Sequence, residues 1–345
     1  MNSLERMRHR LRGDPVDRPP NFDIMMTFAA QTIDQPLARY YLDYRVLCEA
    51  NMAMLERFNL DIVQAISDPY REASDLGASV AFPENGLPIL ETPPLQTPDD
   101  LANLIPPLSP YDGPRMSDRL AAIAWFREQV GEEVPIMGWV EGALAEAADL
   151  RGVSALMTDL YDRPNFVREL LAVCVEVEIA FARAQIEAGA DLIGLGDAVA
   201  SQISPAMYRE YALPYERRIV QAVHEMGGLA RLHICGDTTR ILEDMVVTEA
   251  DIIDIDWMVD MATARQVFGG GPSVCGNFDP VQVMLEGTPE EVYKATQQCI
   301  TAGGERSISA AGCEIPRGTP AENLHAQSRA LEEIGTDNNS LIPWT

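Results

Sequence analysis

The residues of this sequence best equipped for chemistry begin with His233-Ile234-Cys235, at the end of the apolar run GLARLHI. In an extended segment side chains two apart share a face, so His233 and Cys235 aim at one point while Ile234 turns away. Imidazole beside thiolate is borderline-soft ligation, which favours zinc over calcium or magnesium, since those ions take oxygen ligands. A second thiolate would complete a three-ligand site with an open position. Cys313 in SAAGCEIP and Cys275 in GPSVCGNFDP both follow apolar runs, and both are candidates. The plainer alternative is a packed histidine among buried free thiols, because cysteine also behaves as a small hydrophobe.

Two carboxylates stand at comparable places. Glu141 in MGWVEGALAEAADLRG follows an apolar run and precedes a helical stretch, where it could face a metal as a displaceable fourth ligand or orient substrate. Glu146 and Asp149 are alternatives on the helix that follows. Asp197, after Gly194-Leu195-Gly196, is the second candidate catalytic residue. An acidic residue near a helix N-terminus is also favourable with the helix dipole alone. Asp237 is expected to cap the next helix or to hold His233 in its ligating tautomer. Neither GLG at 194–196 nor GGGP at 269–272 completes the strand-to-helix context of a dinucleotide fingerprint.

Positioning these groups requires strands that end together. The runs ADLIGLGD, GGLARLHICG, ADIIDIDW, GPSVCGNFDP and ERSISAAGC alternate with helical segments near 205–226, 238–249, 260–267, 280–285 and 289–302. Runs apolar on both faces need parallel strands covered by helices. With further strands near 20–25, 61–66 and 134–139 the total is eight, which predicts a single α/β domain over residues 1–345, a (β/α)8 TIM barrel; an open doubly wound sheet is the competitor. In such a barrel the C-terminal strand ends surround one pocket, so the 78 residues between Cys235 and Cys313 are no obstacle. The stretch 67–114 breaks the rhythm with Gly86, Pro88, Pro93, Pro94, Pro98, Pro106, Pro107, Pro110 and Pro114. It reads as an insertion after the second strand and over the barrel mouth, with VAFPENG and LPILE forming a hairpin.

Composition narrows the function classes. The 345 residues carry 26 Lys+Arg against 53 Asp+Glu, a net charge of −27, which excludes binding that works by neutralising nucleic-acid phosphates and disfavours attachment to anionic lipid. A content of 47% hydrophobic residues supports a large core rather than disorder. The amino terminus MNSLERMRHRLRGDPVDRPP has no apolar signal region and no run approaches the length of a membrane span, so a cytoplasmic location is expected. Six scattered cysteines, at 48, 174, 235, 275, 299 and 313, fit reduced thiols better than a disulfide framework.

These stretches together resemble the uroporphyrinogen decarboxylase superfamily, and more closely its branch of zinc-dependent, corrinoid-linked methyltransferases. The resemblance runs from RMRHRLRGDPVDRPP through WVEGALAEAADLRG, GADLIGLGD, ISPAMYREYALPYERRIVQAVHEMGG, LHICGDT and GNFDP to SAAGCEIPRGTPAENL. It implies a distorted (β/α)8 barrel and a Zn2+ ion on His233, Cys235 and Cys313, which settles the second thiol as Cys313 rather than Cys275. It also implies a corrinoid (cobamide), carried by a partner protein or free, because no cobalamin-binding Asp-x-His-x-x-Gly stretch occurs here. The decarboxylase itself fits less well. Its tetrapyrrole substrate needs N-terminal arginines, and here Arg18 is followed by none until Arg39.

Within that branch the expected reaction moves a methyl group from a small methylated substrate, of methyl ether or methylamine type, to the cobalt of a corrinoid protein. Phe22, Met25, Met26 and Phe28 of NFDIMMTF would wall the pocket for it. The alternatives are a methylcobamide:thiol methyltransferase of coenzyme M type, a decarboxylase of the superfamily, and a non-catalytic zinc-stabilised scaffold.

Overall fold

The computed structural model describes residues 1–104, 106 and 109–340; Pro107, and Leu341–Thr345 at the end of the expected domain, lie outside the described residues. Among the described residues there are eight strands: β1 (Val63–Gln64), β2 (Ser79–Ala81), β3 (Ile89–Thr92), β4 (Ile136–Glu141), β5 (Leu192–Gly196), β6 (Leu229–Ile234), β7 (Ile252–Ile255) and β8 (Ser273–Cys275). Six of them form one parallel sheet in the order β1-β4-β5-β6-β7-β8. Strands β2 and β3 make the antiparallel hairpin expected from VAFPENG and LPILE.

Helices fill the connections between the parallel strands, which is why β4, β5 and β7 are buried along their whole length and read as apolar runs without alternation. The 25-residue helix Pro164–Ala188 packs on β4 and on the helix Leu213–Glu225. Its start is set by Pro164 in the first turn, and its end by Gly189, whose φ of +118° few other residues adopt. No helix among the described residues is long and apolar enough to cross a membrane.

Two of the expected strands differ from the prediction. Residues 20–25 and 305–313 form single parallel bridges, Asn21 with Ser309, Cys275 with Ile308 and Phe278 with Ala311, rather than ladders. The cause is local. Pro19 and Pro20 bring no N–H to a ladder. The next amides turn to side chains: Asn21 N–H donates to Asp61 Oδ2 at 2.8 Å and Ala311 N–H to Asp23 Oδ1 at 2.7 Å. Backbone bonds still tie these segments to their neighbours, from Ile308 N to Val274 O at 2.9 Å, from Phe22 N to Ser309 O at 2.8 Å and from Asp61 N to Asn21 O at 3.0 Å.

The sheet register matters most for function. Glu141 pairs with Gly196, Gly196 with His233, His233 with Asp254, and Asp254 with Cys275. Paired residues of a parallel sheet point to the same face, so these five form one row across the C-terminal strand ends. One step back, Trp139 pairs with Gly194 and Gly194 with Arg231. A Cβ on Gly194 would lie 2.1 Å from the Trp139 ring, and one on Gly196 would lie 2.8 Å from it. The Gly-Leu-Gly of β5 is therefore a slot for the indole, which brings Trp139 to a ring-centroid distance of 6.4 Å from His233.

Candidate metal centre

At the end of β6, His233 and Cys235 project to one side and Ile234 is fully buried on the other. The chain then turns at Gly236, whose φ of +90° suits glycine and whose N–H donates to Asp256 Oδ2 at 2.8 Å. Cys313 arrives on the loop after residue 311. That loop passes so close to the backbone after β7 that a Cβ on Gly312 would lie 2.4 Å from Trp257 N. The result is convergence: His233 Nε2 lies 3.1 Å from Cys235 Sγ, and Cys235 Sγ lies 3.7 Å from Cys313 Sγ. The three donor atoms fall within 4.8 Å of one another, and no other such trio of His, Cys, Asp or Glu occurs among the described residues.

The donor set fits a zinc ion. Two thiolates on a tetrahedral ion with zinc–sulfur bonds near 2.3 Å stand about 3.8 Å apart, close to the spacing found, while the imidazole sits a few tenths of an ångström nearer than its ligating distance. The electrostatics agree. Cys313 is pulled down to about 4 by its hydrogen bond with Cys235 and by His233, against its own burial. The same bond, with burial, pushes Cys235 up. Burial alone would lower His233, but Cys235 and Asp254 hold it well above its ordinary value. Cys313 is thus poised as a thiolate beside an imidazole and a second thiol, both of which would give up a proton on binding a divalent cation.

Asp254 sets the histidine. Its Oδ2 lies 3.3 Å from His233 Nδ1, an ion-pair distance that does not meet hydrogen-bond geometry. Arg231 holds the same carboxylate through Nε at 2.9 Å and Nη2 at 2.8 Å. Burial would raise the Asp254 carboxyl, but Arg231 and His233 keep it below the usual range. An anion behind Nδ1 fixes the tautomer that leaves Nε2 free to bind metal. Asp254→Asn should therefore weaken zinc binding by about 10–100-fold, read as the chelator concentration that strips the metal, with the secondary structure unchanged. An unaltered chelator midpoint would remove Asp254 from this role.

A cavity of about 180 Å3 opens on the three donors, and its walls include Ile24, Met26, Trp139 and Glu141. Asp68, Pro69 and Arg71, from the first residues of the stretch expected to be an insertion, also line it. Glu141 accepts hydrogen bonds from Arg71 Nη2 at 2.9 Å and Trp139 Nε1 at 3.2 Å, and burial pushes it up to about 7 against the pull of Arg71. It lies on the cavity wall but outside the converging trio. Glu146 and Asp149 do not line the cavity. A larger hollow of about 740 Å3 lies at the opposite strand ends, between the helix Ser3–Arg12 and residues such as Asp191 and Asp251, away from the trio.

Several expected residues stand elsewhere. Asp197 is fully buried behind the sheet, its carboxylate packed where a Cβ on Gly142 would sit and next to Glu216, and it is not on the cavity wall. Asp237 caps Thr239 N at 3.0 Å, and the partner of His233 is Asp254 instead. Cys275 is fully buried 3.8 Å from Arg231 Nη2, outside the trio. Of the four residues of NFDIMMTF expected to wall a pocket, Met26 reaches the cavity; Phe22 and Met25 are enclosed in the core and Phe28 packs edge-on to Phe58. Sequence reasoning missed Asp254, Arg231 and Arg71. The first was within reach, because register along ADIIDIDW places it beside His233.

Residues 2–334 match the family described as Uroporphyrinogen decarboxylase (URO-D). The chain is 31% identical over 329 residues to the Methylcobamide:CoM methyltransferase MtbA of Methanosarcina mazei, covering 93% of this chain and 94% of that protein. It is 28% identical over 350 residues to the Uroporphyrinogen decarboxylase of Parasynechococcus marenigrum, covering 96% and 97%. Among solved structures, a methyltransferase from Methanosarcina mazei superposes with a TM-score of 0.89 at 24% identity, covering 97% of this chain and 99% of that one, which shows a shared fold. Taken with the converged His-Cys-Cys trio, the chain belongs to the uroporphyrinogen decarboxylase family and, within it, to the branch of corrinoid-linked methyltransferases.

Proposed function

We propose that this enzyme transfers a methyl group from a methylcobamide to a small thiol, at a zinc ion held by His233, Cys235 and Cys313. The observation that carries the reading is a three-donor set facing a cavity, with no fourth protein donor among the described residues. A non-catalytic zinc scaffold would close its metal with four protein ligands. The direction rests on relatives named for methylcobamide:CoM and methylated-thiol–coenzyme M transfer. The opposite direction, demethylation of a methyl ether or methylamine, was expected from NFDIMMTF and has less support, because Met26 lines the cavity while Phe22, Met25 and Phe28 are core residues.

Bound zinc would supply Lewis acidity that keeps a thiol in its thiolate form at neutral pH. The protein does the rest. Asp254 holds His233 in the ligating tautomer, while Trp139, Ile24 and Met26 keep water from the reacting sulfur. Glu141, on the same wall and raised to about 7, takes up the thiol proton. The sulfur lone pair forms the new S–CH3 bond, and the Co–C bond pair stays on cobalt, which passes from Co(III) to Co(I). Asp197 has no part in this account. The parallel sheet and the two bridged segments are read as one closed (β/α)8 barrel, with residues 67–114 covering its mouth. The corrinoid arrives on a partner protein or free, at that mouth.

The test is direct. Zinc-loaded protein, methylcobalamin and 2-mercaptoethanol should consume the methylcobalamin absorbance and yield the methyl thioether in equal amount. No thioether above the enzyme-free rate would refute the proposal.

A further inference from the structure

The cavity on the trio also bears on which thiol can enter, an inference that rests on the transfer reading above. Apart from His233, which would bind the metal, the cationic side chain among the described residues that line it is Arg71, and that cation is spent. Its guanidinium is fully enclosed, bonded to the Asp68 carbonyl and to the carboxylates of Glu141 at 2.9 Å and Glu72 at 3.4 Å. Its remaining Nε is buried without a partner and does not reach the cavity surface. Asp68 is itself engaged by Arg115 at 2.5 Å.

Against this neutralised cation stand three carboxylates on the wall, Asp68, Glu141 and Glu314. Glu314 accepts from Thr27 N at 2.6 Å and Thr27 Oγ1 at 2.7 Å through Oε1, while no hydrogen bond engages its other oxygen. The rest of the wall is apolar, from Ile24, Met26, Ile66 and Trp139. A sulfonate or carboxylate tail seated here would exchange its water for a hydrocarbon wall, beside the carboxyl groups of Asp68, Glu141 and Glu314, with no free cationic side chain among the described lining residues to replace the hydration. An ion buried without a partner is heavily penalised.

We propose that the acceptor is a short thiol whose tail bears no negative charge, neutral or cationic, and that the sulfonate-tailed coenzyme M in the names of the relatives is a poor substrate for this chain. The cavity, at about 180 Å3, is small, which favours a short thiol.

Three thiols of similar length and different charge decide it: 2-mercaptoethanesulfonate, 2-mercaptoethanol and cysteamine. Calorimetry on zinc-loaded protein should give each of the two non-anionic thiols at least about tenfold tighter binding than the sulfonate, and kcat/KM with methylcobalamin should follow the same order. Sulfonate binding within tenfold of either, or tighter, overturns the inference. The Met26→Lys variant adds a cation to the wall and should move the ratio toward the sulfonate by at least about tenfold; an unmoved ratio would show that the tail does not sit against this wall. The two readings fail separately. If the thiols bind in the order given but none is methylated, the transfer reading fails, whereas methylation led by the sulfonate refutes only the charge selectivity.

Discussion

Cys313→Ala is expected to lower bound zinc from about one ion per chain to below about a tenth, and to reduce methyl transfer by at least about 100-fold, with the fold intact. The metal loss follows from the proposed geometry, in which Cys313 would supply one of two thiolates and no described side chain stands ready to replace it. The fold survives because the thiol is partly exposed on a loop whose course is fixed by other bonds. Ala311 N is held by Asp23, Gly312 N by Phe278 O and Ile315 N by Ile24 O. A matched Cys275→Ala variant should keep its zinc, since that sulfur faces Arg231. Metal analysis after gel filtration, with circular dichroism on the same samples, checks both. Zinc retained in the first variant or lost in the second would reverse the choice of thiol.

Arg71→Met should cost about 3–5 kcal/mol of folding stability near pH 8. Arg71 is the cation that Glu72 and Glu141 share, and both are buried. Without it they are left as uncompensated charges or must bind protons. The second route fixes the pH dependence. Burial already raises Glu141 to about 7, and Arg71 opposes that shift, so its removal raises the group further. A carboxyl whose folded pKa lies above its unfolded value binds more protons when folded. Stability is then favoured at low pH and lost as pH rises through the folded pKa. The variant's deficit should accordingly be smaller at pH 5.5 than at pH 8 by urea unfolding. An equal deficit at both, or one below about 1 kcal/mol, would show that Arg71 does not neutralise this cluster.

Much of this site was legible because strand periodicity is rigid. His233 and Cys235 had to share a face, and Cys313 had to lie at the mouth if the strands wound in order. The edges were less legible. Residues 20–25 and 305–313 have strand-like composition, but Pro19 and Pro20 and the competing side chains of Asp61 and Asp23 divert their amides, leaving bridges. Asp197 looked equivalent to Glu141 because both end apolar runs. Yet Glu141 is in register with Gly196, so Asp197 is one residue beyond that row and points to the opposite face. Arg71 gave no local signal. It stands on the short helix Arg71–Asp75, and only tertiary packing brings it to Glu141.

In the proposed site one zinc ion is held by a nitrogen and two sulfurs, with a position left open for a thiol. X-ray absorption at the zinc edge tests it most directly. Two sulfurs at about 2.3 Å and a nitrogen at about 2.0 Å are expected in the zinc-loaded protein, with a third sulfur appearing on addition of 2-mercaptoethanol. A shell without sulfur, or one that the thiol leaves unchanged, would contradict it.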